Sequence, residues 1–314
     1  MVISVSILDS IKTKSAFLYR GRFAPTPSGP LHFGSLVAAL AGFLDARSCG
    51  GEWLLRIEDV DPPRVMAGAS AHILKTLSAF AFEWDGDVLH QSRRGDAYQA
   101  ALTRLIESGA AYACSCTRAH IAGLAAPGVD GPVYPGTCRG RGADAGGALR
   151  FLLAERRVVF HDTSLGRVAC DVSRECGDFV LKRADGVFTY QIAAVVDDAE
   201  QGINHVVRGA DLLTSTPRQI ALQQALGYST PVYTHVPVVL DARGFKFSKQ
   251  TLAAPLDDAD PVPALRQAGR FLGLPEIGHV AGAGAWLAAA TRLWPEAATP
   301  PLRGRRLTAP RPIG

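Results

Sequence analysis

Between Gly21 and Leu40 the chain reads Gly-Arg-Phe-Ala-Pro-Thr-Pro-Ser-Gly-Pro-Leu-His-Phe-Gly-Ser-Leu-Val-Ala-Ala-Leu, an order of residues that leaves few folds open. Its start suits a short strand, the prolines and glycines from Pro25 to Gly34 forbid regular structure, and the apolar, alanine-rich end suits a buried helix. A strand, a tight loop and a helix N-terminus form an anion site. The unpaired N–H groups and the dipole of the first turn favour negative charge, and glycine lets a ligand come close to the backbone. An ordinary β–α turn carrying a buried histidine would explain the stretch if nothing else in the chain answered to it.

With 314 residues, 47% of them hydrophobic and 20% charged, the chain can bury a sizeable core as one large domain with an insertion, or as two domains. A net charge of +4 permits an acidic partner such as nucleic acid without requiring one. The most apolar long window, Val280 to Leu293, is closed by Arg292 and is too short for a membrane span, so a packed helix is expected there. Met1 to Leu18 lacks the apolar core and cleavage site of a secretory signal. Six cysteines in a chain of this size, without an export signal, point to reduced thiols and a cytoplasmic protein. A monomer is expected.

Further along, Glu52 to Ile57 reads as a second strand, ending in the acidic run Glu58-Asp59-Val60-Asp61. Helices are predicted over Arg64–Phe82 and Gly95–Glu107 from their apolar spacing, which gives a β–α–β rhythm and a mostly parallel sheet. From Ala113 to Gly147 cysteine, glycine and proline replace the periodicity. Leu149–Leu153, Val158–His161 and Phe179–Lys182 read as strands of an antiparallel extension. Thr189 to Val196 restores a buried-strand pattern, Asn204–Arg208 is a further strand, and Thr214-Ser215-Thr216-Pro217 starts a helix with hydroxyl caps and an early proline. The expected fold is α/β: a Rossmann-like parallel-sheet domain (residues 19–112 and 189–240), an inserted zinc-binding α+β subdomain (113–188), and a lysine-rich loop with a short helical C-terminal region (241–314).

Leu31-His32-Phe33-Gly34-Ser35 is answered two hundred residues later by Lys246-Phe247-Ser248-Lys249-Gln250. Together these stretches resemble the two ATP signatures of the class I aminoacyl-tRNA synthetases. The resemblance narrows to the glutamyl branch through Arg22 to Gly29, through Arg56-Ile-Glu-Asp-Val-Asp-Pro-Pro-Arg64, and through Val207-Arg-Gly-Ala-Asp-Leu-Leu-Thr-Ser-Thr-Pro-Arg-Gln219. Where the first signature often has a second histidine, this chain has Ser35. The pairing suits adenylate formation, in which a carboxylate attacks the α-phosphorus of ATP and pyrophosphate leaves. Charge then grows on phosphate oxygens, so positioned positive groups matter more than covalent chemistry. His32, Gly34 and Ser35 would hold the phosphates from one side, and Lys246, Ser248 and Lys249 from the other, with Mg2+ accompanying ATP.

A glutamate substrate needs an acid for its ammonium and a guanidinium or hydroxyl donors for its side-chain carboxylate. Arg22, Glu58, Tyr190 and Arg208 all fall at or beside predicted strand ends, which converge at the carboxyl edge of an α/β sheet. What the resemblance implies is that Arg22, Phe23, Ala24, Pro25 and Thr26 line the amino acid, Glu58 binds the ammonium, and Tyr190 and Arg208 complete the pocket. A guanidinium fork matches carboxylate and would separate glutamate from glutamine.

Cys114, Cys116 and Cys138 supply three thiols within one glycine-rich insertion, a donor set suited to one structural zinc ion. Ligand chemistry alone nominates His120 as the fourth ligand, whereas the resemblance nominates Tyr134, through Tyr134-Pro-Gly-Thr-Cys138. Cys170 and Cys176 have no partners at metal-site spacing. Only a short region follows Gln250, where a tRNA-charging glutamyl enzyme carries an anticodon-reading domain. The chain therefore resembles the truncated glutamyl-Q tRNA(Asp) synthetase family. That resemblance implies activation of L-glutamate with ATP and transfer to the queuosine at the wobble position of tRNA(Asp). Arg139, Arg141, Lys182 and Arg183 are candidates for RNA phosphates. The alternatives are a fragmentary synthetase charging the tRNA 3′ end and a non-catalytic RNA-binding paralogue.

Overall fold

The computed structural model describes residues 18–153, 157–239 and 254–298. The opening stretch forms strand β1 (Arg20–Phe23), a loop, and helix α1 (Phe33–Ser48), followed by β2 (Glu52–Ile57) over the residues predicted for it. β1 and β2 are parallel, with Arg20 opposite Glu52 and Phe23 opposite Leu55. Ten residues of α1 are buried, among them Leu36, Leu40 and Leu44, as expected of a helix that is apolar on every side. Gly29, at φ +140°, makes the bend before α1 in a region of backbone space that side-chain-bearing residues avoid.

The helix predicted over Arg64–Phe82 is shorter than expected. Pro62 and Pro63 set a single 3₁₀ turn over Pro62–Arg64, and Gly68 at φ +76° re-aims the chain before α2 (Ala69–Ala79) begins. β3 (Leu89–His90) then pairs parallel to β2, and α3 (Gly95–Glu107) has the predicted bounds.

The cysteine-bearing region contains β4 (Ala111–Cys114), α4 (Arg118–Leu124), the two-residue strands β5 (Pro127–Gly128) and β6 (Gly131–Pro132), and β7 (Ala148–Phe151). Next come β8 (Arg157–Asp162), β9 (Gly166–Asp171), the single-turn α5 (Val172–Glu175) and β10 (Val180–Lys182). β10, β7 and β4 form an antiparallel sheet.

The strand predicted from Thr189 to Val196 does not form. These residues lie in helix α6 (Tyr190–Glu200), which Thr189 precedes in extended conformation. A short continuous apolar run fits a buried strand and a buried helix equally well. What decides here is the pair that follows, Asp197 and Asp198, both buried and both ion-paired across to other elements from helical positions. β11 (His205–Gly209), α7 (Thr216–Leu226) and β12 (Val232–Val236) complete the second half. α7 starts with Pro217 in its first turn, but no hydroxyl caps it: the Thr216 hydroxyl is engaged with Arg208 and that of Thr214 with Asp130.

β11 pairs parallel to β12, and β12 parallel to β8 through Tyr233 opposite Asp162, while β8 and β9 form an antiparallel hairpin. Val158–His161, expected in an antiparallel extension, thus also continues the parallel sheet. The two parallel sets meet where Asn204 donates its backbone N–H to the Arg20 carbonyl at 3.1 Å and accepts from the Arg20 N–H through Oδ1 at 2.8 Å. α1 crosses this seam. A Cβ on its Gly42 would stand 3.2 Å from Trp53 Nε1 on β2 and 3.8 Å from Val207 Cβ on β11, so glycine permits the close approach. α8 (Pro261–Leu272) and α9 (Ala283–Ala298) cover the outer side of α1, and Trp294 donates to Asp45 at 2.9 Å. No described helix is long and apolar enough to cross a membrane.

Candidate active site

A cleft of about 860 Å³ opens where β1, β2, β11 and β12 end, at the carboxyl edge where α/β sheets hold their ligands. It is lined by Arg22, Phe23, Ala24, Pro25 and Thr26 from the β1 loop, by His32, Gly34 and Ser35 from the start of α1, and by Glu58, Tyr190 and Arg208. Eleven residues named from the sequence therefore share one space. Lys246, Ser248 and Lys249 lie outside the described residues, as does the tail from Arg303 onward.

His32 is the N-cap of α1. Its Nδ1 accepts from the Ser35 N–H at 3.3 Å, so a neutral ring carries its proton on Nε2. This cap uses the Ser35 N–H, while those of Phe33 and Gly34 remain in the open first turn. Backbone pairing of His32 with Pro255, and of the Leu256 N–H with the Leu31 carbonyl at 3.1 Å, fixes the loop from the other side.

The acid and guanidinium groups divide into two sets. In the first, Asp198 accepts from Arg22 Nε at 3.0 Å and from Arg56 Nη2 at 2.5 Å, and Glu58 sits 4.0 Å from Arg56 Nε. Arg56 is completely buried, and its Nη1 donates to Gln201 at 2.8 Å. Burial pushes the Glu58 carboxyl up to about 7, although Arg56 and Arg22 pull the other way and Asp198 and Asp197 add to the rise. Asp198 stays below the usual carboxylate range, because its two arginines outweigh its own burial. Asp197, beside it, accepts from Gln91, Tyr98 and Arg94.

The second set surrounds Arg208, which is 5% exposed. Its Nε donates to His235 Nε2 at 3.1 Å, Nη1 to Gln219 Oε1 at 2.8 Å and to the Tyr190 hydroxyl at 3.3 Å, and Nη2 to Thr216 Oγ1 at 2.7 Å. The guanidinium carbon stands 5.3 Å from the centroid of the Tyr233 ring. No described carboxylate lies within ion-pair distance of Arg208, so no described acid neutralises this buried cation. Tyr190, expected at a strand end, reaches the pocket from the first turn of α6.

Asp198 and His235 are not singled out by the sequence, and Thr216 and Gln219 enter it only within a helix start and a resemblance block, not as site residues. The signals were thin: an acid pair closing an apolar run, and a histidine alternating with apolar residues in Val232-Tyr-Thr-His-Val236.

In the cysteine-bearing region, the Sγ atoms of Cys114, Cys116 and Cys138 all lie within 4.8 Å of one another. The Tyr134 hydroxyl stands 3.4 Å from the Cys114 Sγ and 3.6 Å from that of Cys116, and accepts from the Cys138 N–H at 2.8 Å. The Cys138 thiol is drawn down to about 6, the Tyr134 hydrogen bond being the largest cause. His120 is an exposed residue of α4, outside this group. Three thiols and a phenol oxygen around one point fit a tetrahedral ion. Of the basic residues considered for RNA, Arg139 is bound to Asp178 and Arg183 to Asp61 and Asp185, while Arg141 donates to Ser115 and Lys182 to Gln99.

Residues 19–131 and 135–262 match the family described as tRNA synthetases class I (E and Q), catalytic domain. A glutamyl-Q tRNA(Asp) synthetase of Chromobacterium violaceum is 57% identical over 258 residues, covering 82% of this chain and 87% of the relative. A glutamyl-Q tRNA(Asp) synthetase of Dechloromonas aromatica is 55% identical over 276 residues, with 85% and 91% covered. Among solved structures, a glutamate tRNA ligase from Elizabethkingia meningosepticum in complex with its amino acid superposes with a TM-score of 0.65 at 26% identity. That alignment covers 74% of this chain and 52% of the ligase. The glutamate-tRNA synthetase of Elizabethkingia anophelis, at 22% identity and TM-score 0.75, shares the fold over 90% of this chain and 66% of its own. By sequence and by fold, the chain belongs to the class I glutamyl and glutaminyl tRNA synthetases, within the glutamyl-Q tRNA(Asp) synthetase family.

Proposed function

We propose that the cleft activates L-glutamate with ATP and transfers the glutamyl group to the queuosine at the wobble position of tRNA(Asp). The observation that carries this reading is the division of charge within one space: a buried arginine with no acid partner among the described residues, an acid near Arg56, and a helix N-terminus. Ionised Glu58 pairs with the substrate ammonium. Arg208 and Tyr190 receive the side-chain carboxylate, and Arg22, tied through Nε and Nη2 to Asp198, turns its remaining nitrogen to the amino acid.

The reacting carboxylate is thereby left to face the α-phosphorus of ATP. One of its oxygens bonds to that phosphorus as the bond to the β-phosphate oxygen breaks and pyrophosphate leaves. His32 Nε2–H and the N–H groups of Phe33 and Gly34 stabilise phosphate charge as it grows, with Lys246 and Lys249 contributing further positive charge and Mg2+ accompanying ATP. A hydroxyl of the queuosine cyclopentenediol then attacks the acyl carbon, an ester forms as the bond to the phosphate oxygen breaks, and AMP departs with the hydroxyl proton passing to its phosphate. Cys114, Cys116, Cys138 and Tyr134 would hold a zinc ion, which would supply a structural crosslink for a region with a small core. ATP and tRNA as substrates favour a cytoplasmic setting.

Glutamate-dependent exchange of labelled pyrophosphate into ATP tests activation. No exchange at saturating glutamate and ATP refutes it. Nuclease mapping of labelled glutamate on tRNA tests transfer, and label on the 3′ adenosine independent of queuosine refutes the modification in favour of charging.

A further inference from the structure

Arg208 must be aimed rigidly at its ligand and yet keep its positive charge for it. A carboxylate bonded directly to the guanidinium would fix it, as Asp198 fixes Arg22, but would also neutralise it and repel an incoming carboxylate. Around Arg208 the acceptors are neutral instead: an imidazole, a carboxamide and two hydroxyls. Behind the imidazole stands an acid. Asp162 Oδ2 meets His235 Nδ1 at 2.7 Å and the His235 backbone N–H at 3.1 Å, and both residues are completely buried.

We propose that Asp162 and His235 are positioning residues for the substrate's side-chain carboxylate, a role that rests on the glutamate reading above. Asp162 holds the His235 proton on Nδ1, which makes Nε2 an acceptor for the Arg208 Nε–H. The guanidinium is then oriented by an acid that stays one imidazole away from it. With the opposite tautomer, two N–H groups would face each other across 3.1 Å. Thr216 Oγ1, 3.1 Å from His235 Nε2 and 2.7 Å from Arg208 Nη2, closes a triangle that leaves the guanidinium little freedom to rotate. Burial keeps His235 neutral by lowering its pKa, and Asp162 stays ionised because its hydrogen bonds from His235 and the backbone outweigh its own burial.

Asp162 also accepts from the N–H groups of Ser164 and Leu165, so its replacement would disturb the β8–β9 turn. The deciding variants are therefore at His235. In His235→Asn a carboxamide nitrogen can still donate to Asp162, but nothing reaches the Arg208 Nε–H. In His235→Gln a carboxamide oxygen reaches that N–H, and the bond to Asp162 is lost. One hydrogen bond to a charged group sets the scale: His235→Asn should raise KM for glutamate by about tenfold or more, with KM for ATP within about twofold of the parent. His235→Gln should recover most of that loss. In the parent, 15N NMR should find His235 protonated on Nδ1, the signal being assigned by its absence from His235→Asn.

A glutamate KM within about twofold of the parent in His235→Asn, a parallel rise in the ATP KM, or a proton on Nε2 would each overturn the proposal. Absence of glutamate-dependent exchange in the parent would defeat the glutamate reading instead. The tautomer would still decide whether Asp162 governs His235.

Discussion

Asp198→Asn tests the first charge set where it is most exposed to loss. In the parent, one carboxylate accepts from two guanidinium groups, Arg22 at 3.0 Å and Arg56 at 2.5 Å, with Asp198 and both arginines buried. A neutral amide leaves Arg56 with Gln201 and with a Glu58 oxygen 4.0 Å away, and leaves Arg22 without a bonded acid. Removing one partner from a buried ion pair costs about 3–5 kcal/mol, because a charge remains in low dielectric without compensation. Against a total stability of about 5–15 kcal/mol the loss should be plain in urea-induced unfolding. A second effect runs in the opposite sense at the site: Asp198 helps to hold the Glu58 carboxyl up near 7, so its neutralisation should lower that value. The acid limb of kcat/KM for glutamate should then move to lower pH while the protein becomes less stable. A stability loss under about 1 kcal/mol, or a limb that stays in place, would refute the account of this network.

In the parent, Glu58 should set that limb itself: kcat/KM for glutamate rises with pH toward about 7, as the carboxyl loses its proton and can pair with an ammonium, and Glu58→Gln should flatten the rise and lower activity. The sign for stability is the reverse. A carboxyl raised from 4.5 to about 7 by folding contributes most below 4.5, and that contribution is lost as pH climbs to about 7, which unfolding at pH 5 and 7.5 in parent and Glu58→Gln can check. Lys249→Ala should cut pyrophosphate exchange by roughly a hundredfold with an unchanged unfolding midpoint, and near-normal exchange would remove Lys249 from the site. Tyr134→Phe should lower zinc stoichiometry, measured by elemental analysis after dialysis, whereas His120→Ala should not; the opposite pattern would make His120 the fourth ligand.

Helix α3 and strand β2 were legible because their periods are clean and their ends carry turn residues, Gly95 and Gly50-Gly51 among them. The residues lining the cleft were legible because they occur in short, dense runs. Tyr190 was placed on the wrong kind of element, since the run Ile192–Val196 is apolar throughout and gives no period to distinguish helix from strand. His235 and Asp162 were invisible for a different reason. They lie 73 positions apart, each alone in a strand, and only the parallel pairing of β12 with β8 brings them together.

The two helices that follow the cleft bear on how the protein is made. Asp45 accepts from Tyr19, just before β1, and from Trp294 in α9, so the beginning and end of the described fold meet on α1. Until Trp294 has left the ribosome, the outer side of α1, the helix whose first turn lines the cleft, lacks part of its cover. The lining of the cleft is complete by Val239, before α8 and α9 are made, and a nascent chain halted before α9 would present a sticky helix rather than a partly active enzyme.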